Sequence, residues 1–254
     1  MRLMVGTSGY SYREWRGSFY PEGLASKQML ASYASRLPAV EINNTFYRIP
    51  KVDVVASWAE QVPPEFRFVI KASQRITHRQ RLRDAADTVA YLFKVIAILE
   101  ERLGAVLYQL PPYLKKDAAL LRDFIAVLPR GCRAAFEFRH ATWFDDEVYS
   151  LLSDGGAALC GGDVDEHTEP RELVATARFG YLRLRREESR YSDAELTSWA
   201  ERIASQEWDE VYAFFKHERL GPHLAGELIR HLHLALGREP PALDIAPPEP
   251  TSGG

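Results

Sequence analysis

Phe66-Arg67-Phe68-Val69-Ile70-Lys71 reads as a buried strand that ends in a charge. It is too short for a helix, and its aromatic and β-branched residues suit a pleated, packed surface. Side chains alternate between faces along a strand, so Val69 and Lys71 share one side. The same form recurs along the chain, at residues 2–6, 38–43, 66–71, 105–110, 133–138, 157–161, 178–184 and 210–215. Between most of these runs lie amphipathic patterns of helical period, at 26–36, 51–61, 84–102, 117–127, 145–154, 192–205 and 222–235. Ser26, Lys51 after Pro50, Ser192 and His223 after Pro222 open helices. Residues 162–177 lack that period, so one crossover is read as a loop.

Strands buried on both faces and alternating with helices imply a parallel sheet. Eight repeats in 254 residues fit one closed (β/α)8 barrel of TIM type, the α/β class, as a single domain over 1–238. The rival, an open doubly wound sheet, needs a Gly-rich turn leading straight into a helix. Here Gly6-Thr7-Ser8-Gly9 runs into a long loop instead. Residues 239–254 are Pro-rich and aperiodic, and read as a flexible tail.

In a closed barrel one of the two alternating sets points inward. Glu41 with Asn43, Val69 with Lys71, Leu107 with Gln109, and Glu137 with Arg139 each form such a set, polar at the carboxyl end. Asp163, Arg183, Lys216 and His217 extend the ring. In barrels of this architecture the working groups come from the ends of several strands at that face. Glu41 and Glu137 are expected as general acid and base, their pKa values separated by unequal distances from Lys71 and Arg139. Lys71 is alternatively a Schiff-base nucleophile if desolvated. The competing reading is a self-neutralising network that only fixes packing.

Two loops add to the mouth. Residues 8–21 carry Tyr10, Tyr12, Trp15, Phe19 and Tyr20 with Arg13 and Arg16, which suits a stacking wall for a sugar or base, or a lid that packs its own aromatics. Residues 73–83 hold Arg75, His78, Arg79, Arg81 and Arg83 and no acid, a set suited to phosphate or carboxylate. Tyr47, His140 and Trp143 complete the expected ligand contacts. Positive charge is therefore concentrated on the mouth, while the 162–177 loop is acidic.

Composition narrows the class. Hydrophobic residues make up 46% and charged ones 26%, as in a folded globular domain rather than a disordered chain. A net charge of −3 argues against a globally basic nucleic-acid coat. No apolar run approaches membrane-spanning length, and Arg2-Leu3-Met4-Val5-Gly6 does not resemble a secretory signal, so a cytoplasmic protein with no membrane association is expected. Cys132 and Cys160 fit neither a disulfide nor a zinc motif. His231-x-His233 on a helix does not put both rings on one face. No cofactor is predicted; a single Mg²⁺ on Glu41, Glu137 or Asp163 is the remaining option.

Several stretches together carry a family resemblance. They are Val5-Gly6-Thr7-Ser8-Gly9-Tyr10-Ser11-Tyr12, Trp15-Arg16-Gly17, Phe19-Tyr20-Pro21, and Val40-Glu41-Ile42-Asn43-Asn44-Thr45-Phe46-Tyr47-Arg48. Phe66 to Ala72, Ile76-Thr77-His78, Tyr108-Gln109-Leu110-Pro111-Pro112, Glu137-Phe138-Arg139-His140, Trp143-Phe144 and Tyr191-Ser192 continue the match. Together they resemble the YecE-like family, domain of unknown function 72; the resemblance covers residues 2–235 and implies a TIM-type barrel without an established activity. Members often carry His-Gly after the seventh strand and Asn-Asn after the eighth, where this chain has Arg185-Arg186 and Lys216-His217.

Three functions fit these observations. The first is an enzyme, a hydrolase, lyase or isomerase, acting on a small anionic substrate that is phosphorylated or sugar-containing. The second is a nucleic-acid binding or processing protein that uses the arginine and aromatic loops. The third is a non-catalytic barrel that binds a ligand or a protein.

Overall fold

The structure is a computed structural model and describes residues 1–163, 172–186 and 191–245. Eight parallel strands close in sequence order, each hydrogen-bonded to the next and the last to the first. They are β1 (Arg2–Ser8), β2 (Ala39–Ile42), β3 (Arg67–Lys71), β4 (Leu103–Gln109), β5 (Ala134–Glu137), β6 (Ala158–Asp163), β7 (Phe179–Leu184) and β8 (Glu210–Phe215). The expected barrel is therefore the observed one. All eight expected strands are present, with ends displaced by up to two residues.

Seven α-helices cover the outside among the described residues: α1 (Met29–Ala34), α2 (Val52–Glu60), α3 (Ala86–Ile96), α4 (Ala118–Ala126), α5 (Asp146–Asp154), α6 (Asp193–Ala204) and α7 (Gly221–Ala235). Of the four expected helix openers, Ser192 caps with its side chain, in a reciprocal box with Glu195. Asp117 and Asp145 cap α4 and α5. The expected helix 84–102 is shorter than predicted. It ends at Ile96, and a 3-10 segment with Glu100 at φ 50° follows. The described part of the β6–β7 connection, residues 172–178, is neither helix nor strand; residues 164–171 of that expected loop lie outside the described residues.

The two alternating residue sets separate as the strand reading requires. Val40, Phe68, Ile70, Val106 and Phe136 pack outward against the helices. Met4, Ala39, Val69, Leu107, Ala135 and Tyr212 fill the barrel interior. At the amino-terminal end of the barrel, Glu210 accepts from Tyr212 OH at 2.6 Å and lies 3.7 Å from both Arg2 and Arg133. The β1–β2 seam is fastened by Tyr33, whose hydroxyl accepts from Thr7 N and donates to Ala39 O, each at 2.9 Å. A Cβ on Gly6 would stand 1.9 Å from that same Ala39 oxygen, which is why glycine opens the Gly6-Thr7 pair.

Past α7, Leu243 and Ile245 pack against the outer core, so the first residues of the Pro-rich segment lie on the barrel. Residues 246–254 of the expected tail lie outside the described residues. Cys132 and Cys160 are free thiols.

Candidate functional site

Closure of the barrel brings the inward side chains at the strand ends into one cluster. Glu41 at the end of β2 is fully buried. Its Oε1 accepts from Ser8 Oγ at 2.7 Å, Arg183 Nη2 at 2.8 Å and Asn43 Nδ2 at 3.0 Å, and its Oε2 from Tyr181 OH at 2.6 Å. Glu137 at the end of β5 is equally enclosed. It accepts from Gln109 Nε2 at 2.8 Å on both oxygens, from Arg183 Nη1 at 2.6 Å and from Arg139 Nε at 3.1 Å. Arg183, itself buried, thus joins two carboxylates on strands three apart in the ring.

These contacts fix the charges. Burial alone would raise both carboxyls, but the Arg183 guanidinium and the donated hydrogen bonds outweigh it. Glu41 is held below the usual carboxylate range, and Glu137, with Arg139 and Arg185 also near, is brought down to about 2. This corrects the expected acid and base pair: the two groups are pulled the same way, because Arg183 serves both. That guanidinium also fills the place between Glu41 and Glu137 where a divalent cation would bind.

Lys71 differs. Its Nζ donates to the neutral Gln109 Oε1 at 2.9 Å and stands 4.4 Å from the Phe46 ring centre, and among the described residues it has no carboxylate partner. Burial, and then the nearby Arg183 charge, lower its amine to about 8. His78 lies edge-on to Phe46 at 4.9 Å and is bonded to Thr77 Oγ1; burial, then Lys71 and Arg139, lower its pKa. Arg185 extends from the end of β7 with Nη1 3.8 Å from Glu137, too far for a hydrogen bond, and its Nε and Nη1 are buried without a hydrogen-bond partner.

Other expected ligand contacts have structural duties. Trp15 is wholly buried beneath Tyr12, with its indole N–H donated to Glu218 O at 2.6 Å. Phe19 and Tyr20 join the same cluster, and Arg16 ties the loop by donating to Glu22 O at 2.8 Å. The aromatic loop is a lid packed on itself, not a stacking wall. Trp143 is likewise core, stacked on Phe138 at 4.6 Å and bonded to Leu114 O, while His140 caps the adjacent 3-10 turn through Thr142. Asp163 is buried and anchors the segment after β7 through Arg186 Nε, Arg185 N and Tyr191 OH. Tyr10 faces α2 in a surface hollow beside Trp58, away from the glutamates. Tyr12 remains at the rim, within the electrostatic reach of Glu41.

Tyr47 and Arg79 do not reach the glutamate cluster; both line a neighbouring groove. His217 folds back to accept from Arg219 N and Leu220 N before α7. Ser8 and Tyr181 are the site residues that sequence reasoning missed. The alternation does contain them: Ser8 follows Met4 and Gly6 on the inward set, and Tyr181 precedes Arg183 by two.

Among the described residues, one group of three acids and histidines has metal-ligand spacing: Asp193, Glu227 and His231 on α6 and α7. Arg230 Nη2 lies within hydrogen-bonding distance of all three, so a guanidinium already fills it. No helix among the described residues is long and apolar enough to cross a membrane.

Fold and site together define a TIM-barrel protein with a buried, ionised cluster at the carboxyl ends of its strands. The chain belongs to the family described as "Protein of unknown function DUF72", whose model matches residues 4–251. It is 29% identical over 236 residues to UPF0759 protein YunF of Bacillus subtilis (strain 168), covering 85% of this chain and 79% of that protein. It is 31% identical over 143 residues to UPF0759 protein YecE of Escherichia coli (strain K12), covering 56% of this chain and half of that one. A crystal structure of a DUF72 family protein from Thermotoga maritima aligns with TM-score 0.75 and 26% identity, over 93% of this chain and 97% of that one. A methyltransferase from Methanosarcina mazei aligns over 93% of each chain, at TM-score 0.51 and 12% identity, a likeness of fold alone.

Proposed function

We propose that the protein is an enzyme acting on a small anionic substrate, phosphorylated or sugar-containing, at the carboxyl-terminal mouth of the barrel. The observation that carries this reading is a surplus of cations: Arg183 and Arg139 together balance Glu41 and Glu137, and Lys71 and Arg185 are left over. Lys71 lacks a carboxylate, Arg185 has two unsatisfied guanidinium nitrogens, and Arg139 reaches solvent beside them. Unsatisfied buried donors are costly, and an incoming acid group supplies the missing acceptors.

In this reading Lys71 is the catalytic amine, acting as base or nucleophile near neutral pH. Glu41 and Glu137 stay ionised throughout. Glu137 positions Gln109, which holds Lys71, and Glu41 with Arg183 sets the local field. Asn43, His78 and Tyr12 are the polar rim that meets the substrate. The nucleic-acid alternative is the weaker one, since Trp15, Phe19 and Tyr20 are core residues and cannot stack on bases.

A thermal-shift screen of phosphorylated metabolites tests the proposal. The expected outcome is a set of compounds that raise the melting temperature of the wild type and lose that effect in Arg139→Ala and Arg185→Ala. Equal responses in all three proteins overturn the anion site.

A further inference from the structure

The second βα connection places successive residues on different sides. Phe46 faces Lys71 and His78, whereas the next residue, Tyr47, is 74% exposed. The third connection does the same. It forms one π-helical turn, Arg75–Arg79, closed by Gln80 N bonding to Arg75 O at 2.8 Å. His78 on that turn lies at the mouth, while Arg75 and Arg79 line a separate groove of about 430 Å³ behind it. Arg48, Tyr47 and Tyr91 of α3 line the same groove. Its size falls within the range of small-ligand sites.

The chemistry of this groove is not that of a solvated basic turn alone. Among the described residues, the guanidinium groups of Arg48, Arg75 and Arg79 make no ion pair or hydrogen bond, and Asp87 is the single acid in the lining. Tyr91, 55% exposed, supplies a second aromatic surface. Three residues with side chains immediately after the π turn hold left-handed backbones: Arg81 at φ 50°, Leu82 at 69° and Asp84 at 46°. Each costs free energy, and such conformations cluster at ligand clamps and other functional sites. π turns likewise recur at functional sites.

We propose that this groove is a second ligand site, distinct from the strand-end cluster, and that it takes a free mononucleotide. The phosphate lies against Arg75 and Arg79 and the base against the exposed tyrosines. Guanidinium groups match phosphate oxygens in pairs, and an aromatic face accepts any base. Arg48 adds a third cation for the phosphate or the ribose hydroxyls. The site does not depend on what the mouth does, because none of the side chains in contact with Glu41 or Glu137 lines it.

Calorimetric titration with adenosine 5′-monophosphate, adenosine, inorganic phosphate and a 5′-phosphorylated single-stranded oligonucleotide tests the proposal. The expected result is saturable binding of the mononucleotide, weakened at least about tenfold in Arg75→Ala/Arg79→Ala and in adenosine, which lacks the phosphate. Tyr47→Ala/Tyr91→Ala is expected to weaken the mononucleotide while leaving phosphate binding unchanged. Lys71→Met, which alters the mouth, is expected to bind as the wild type does. No saturable binding at millimolar mononucleotide, or binding indifferent to the arginine pair, overturns the proposal. Binding of the oligonucleotide alone overturns the choice of a free nucleotide. Loss of binding in Lys71→Met with retention in the arginine pair moves the ligand to the mouth and removes the second site.

Discussion

Arg183 holds Glu41 and Glu137 at once, with Nη2 2.8 Å from the first and Nη1 2.6 Å from the second. All three side chains are almost completely shielded from water. A bridge of this kind contributes little over an apolar core, but its one-sided removal leaves buried charge without a partner. Arg183→Met is expected to destabilise the protein by about 3–5 kcal/mol in urea unfolding. Adding Glu41→Gln and Glu137→Gln to that background should recover part of the loss. A single-variant cost below about 1 kcal/mol would show that solvent reaches the pair.

The acid limb of stability follows from the same contacts. Glu137 is held at about 2, below its unfolded value, so its contribution is complete above the unfolded carboxylate pKa and disappears as pH falls through the folded one. Glu41 acts in the same direction. Melting temperature is therefore expected to fall between about pH 4.5 and pH 2, and Glu137→Gln should flatten that slope. An unchanged slope in the variant would assign the acid limb to other carboxylates.

Lys71 should titrate near 8 in the folded protein. A ¹⁵N-lysine NMR titration is expected to show one resonance with that midpoint, absent in Lys71→Met. A Lys71 midpoint at the ordinary lysine value would mean that water solvates the amine. Any turnover that uses this amine as a base should rise with pH through the same midpoint.

Trp15 and Tyr47 make a contrasting pair. Truncating the buried indole in Trp15→Ala is expected to cost about 3–5 kcal/mol, whereas Tyr47→Ala, with its ring in solvent, should stay within about 0.5 kcal/mol of wild type. Similar costs in the two variants would contradict the placement of the first loop.

The barrel was legible because each strand is a short apolar run and its inward positions follow from alternation. Glu41, Lys71, Gln109, Glu137 and Arg183 were found by that rule. Ser8 escaped it because β1 is two residues longer than its apolar run, so the polar end of the strand read as loop. The partnership of Arg183 with both glutamates was invisible for a different reason: it joins residues 142 and 46 positions apart, and depends on closure. Trp15 and Trp143 were misplaced because a loop aromatic carries no periodicity that distinguishes a self-packed lid from a ligand wall. The groove went unread because Arg48, Arg75 and Tyr91 come from three separate segments that meet only in the folded chain.

The position of Arg183 also bears on how the chain folds. Glu41 and Glu137 are synthesised first, and their shared cation arrives only with β7. A nascent barrel of five or six strands would have to bury Glu41 with no ion-pair partner and leave Glu137 with Arg139 alone. Barrels that lack β7 should therefore be less stable than the complete one. Circular permutants that keep β2, β5 and β7 intact should unfold in a single transition, whereas a fragment ending before Phe179 should populate an expanded state with both acids in water.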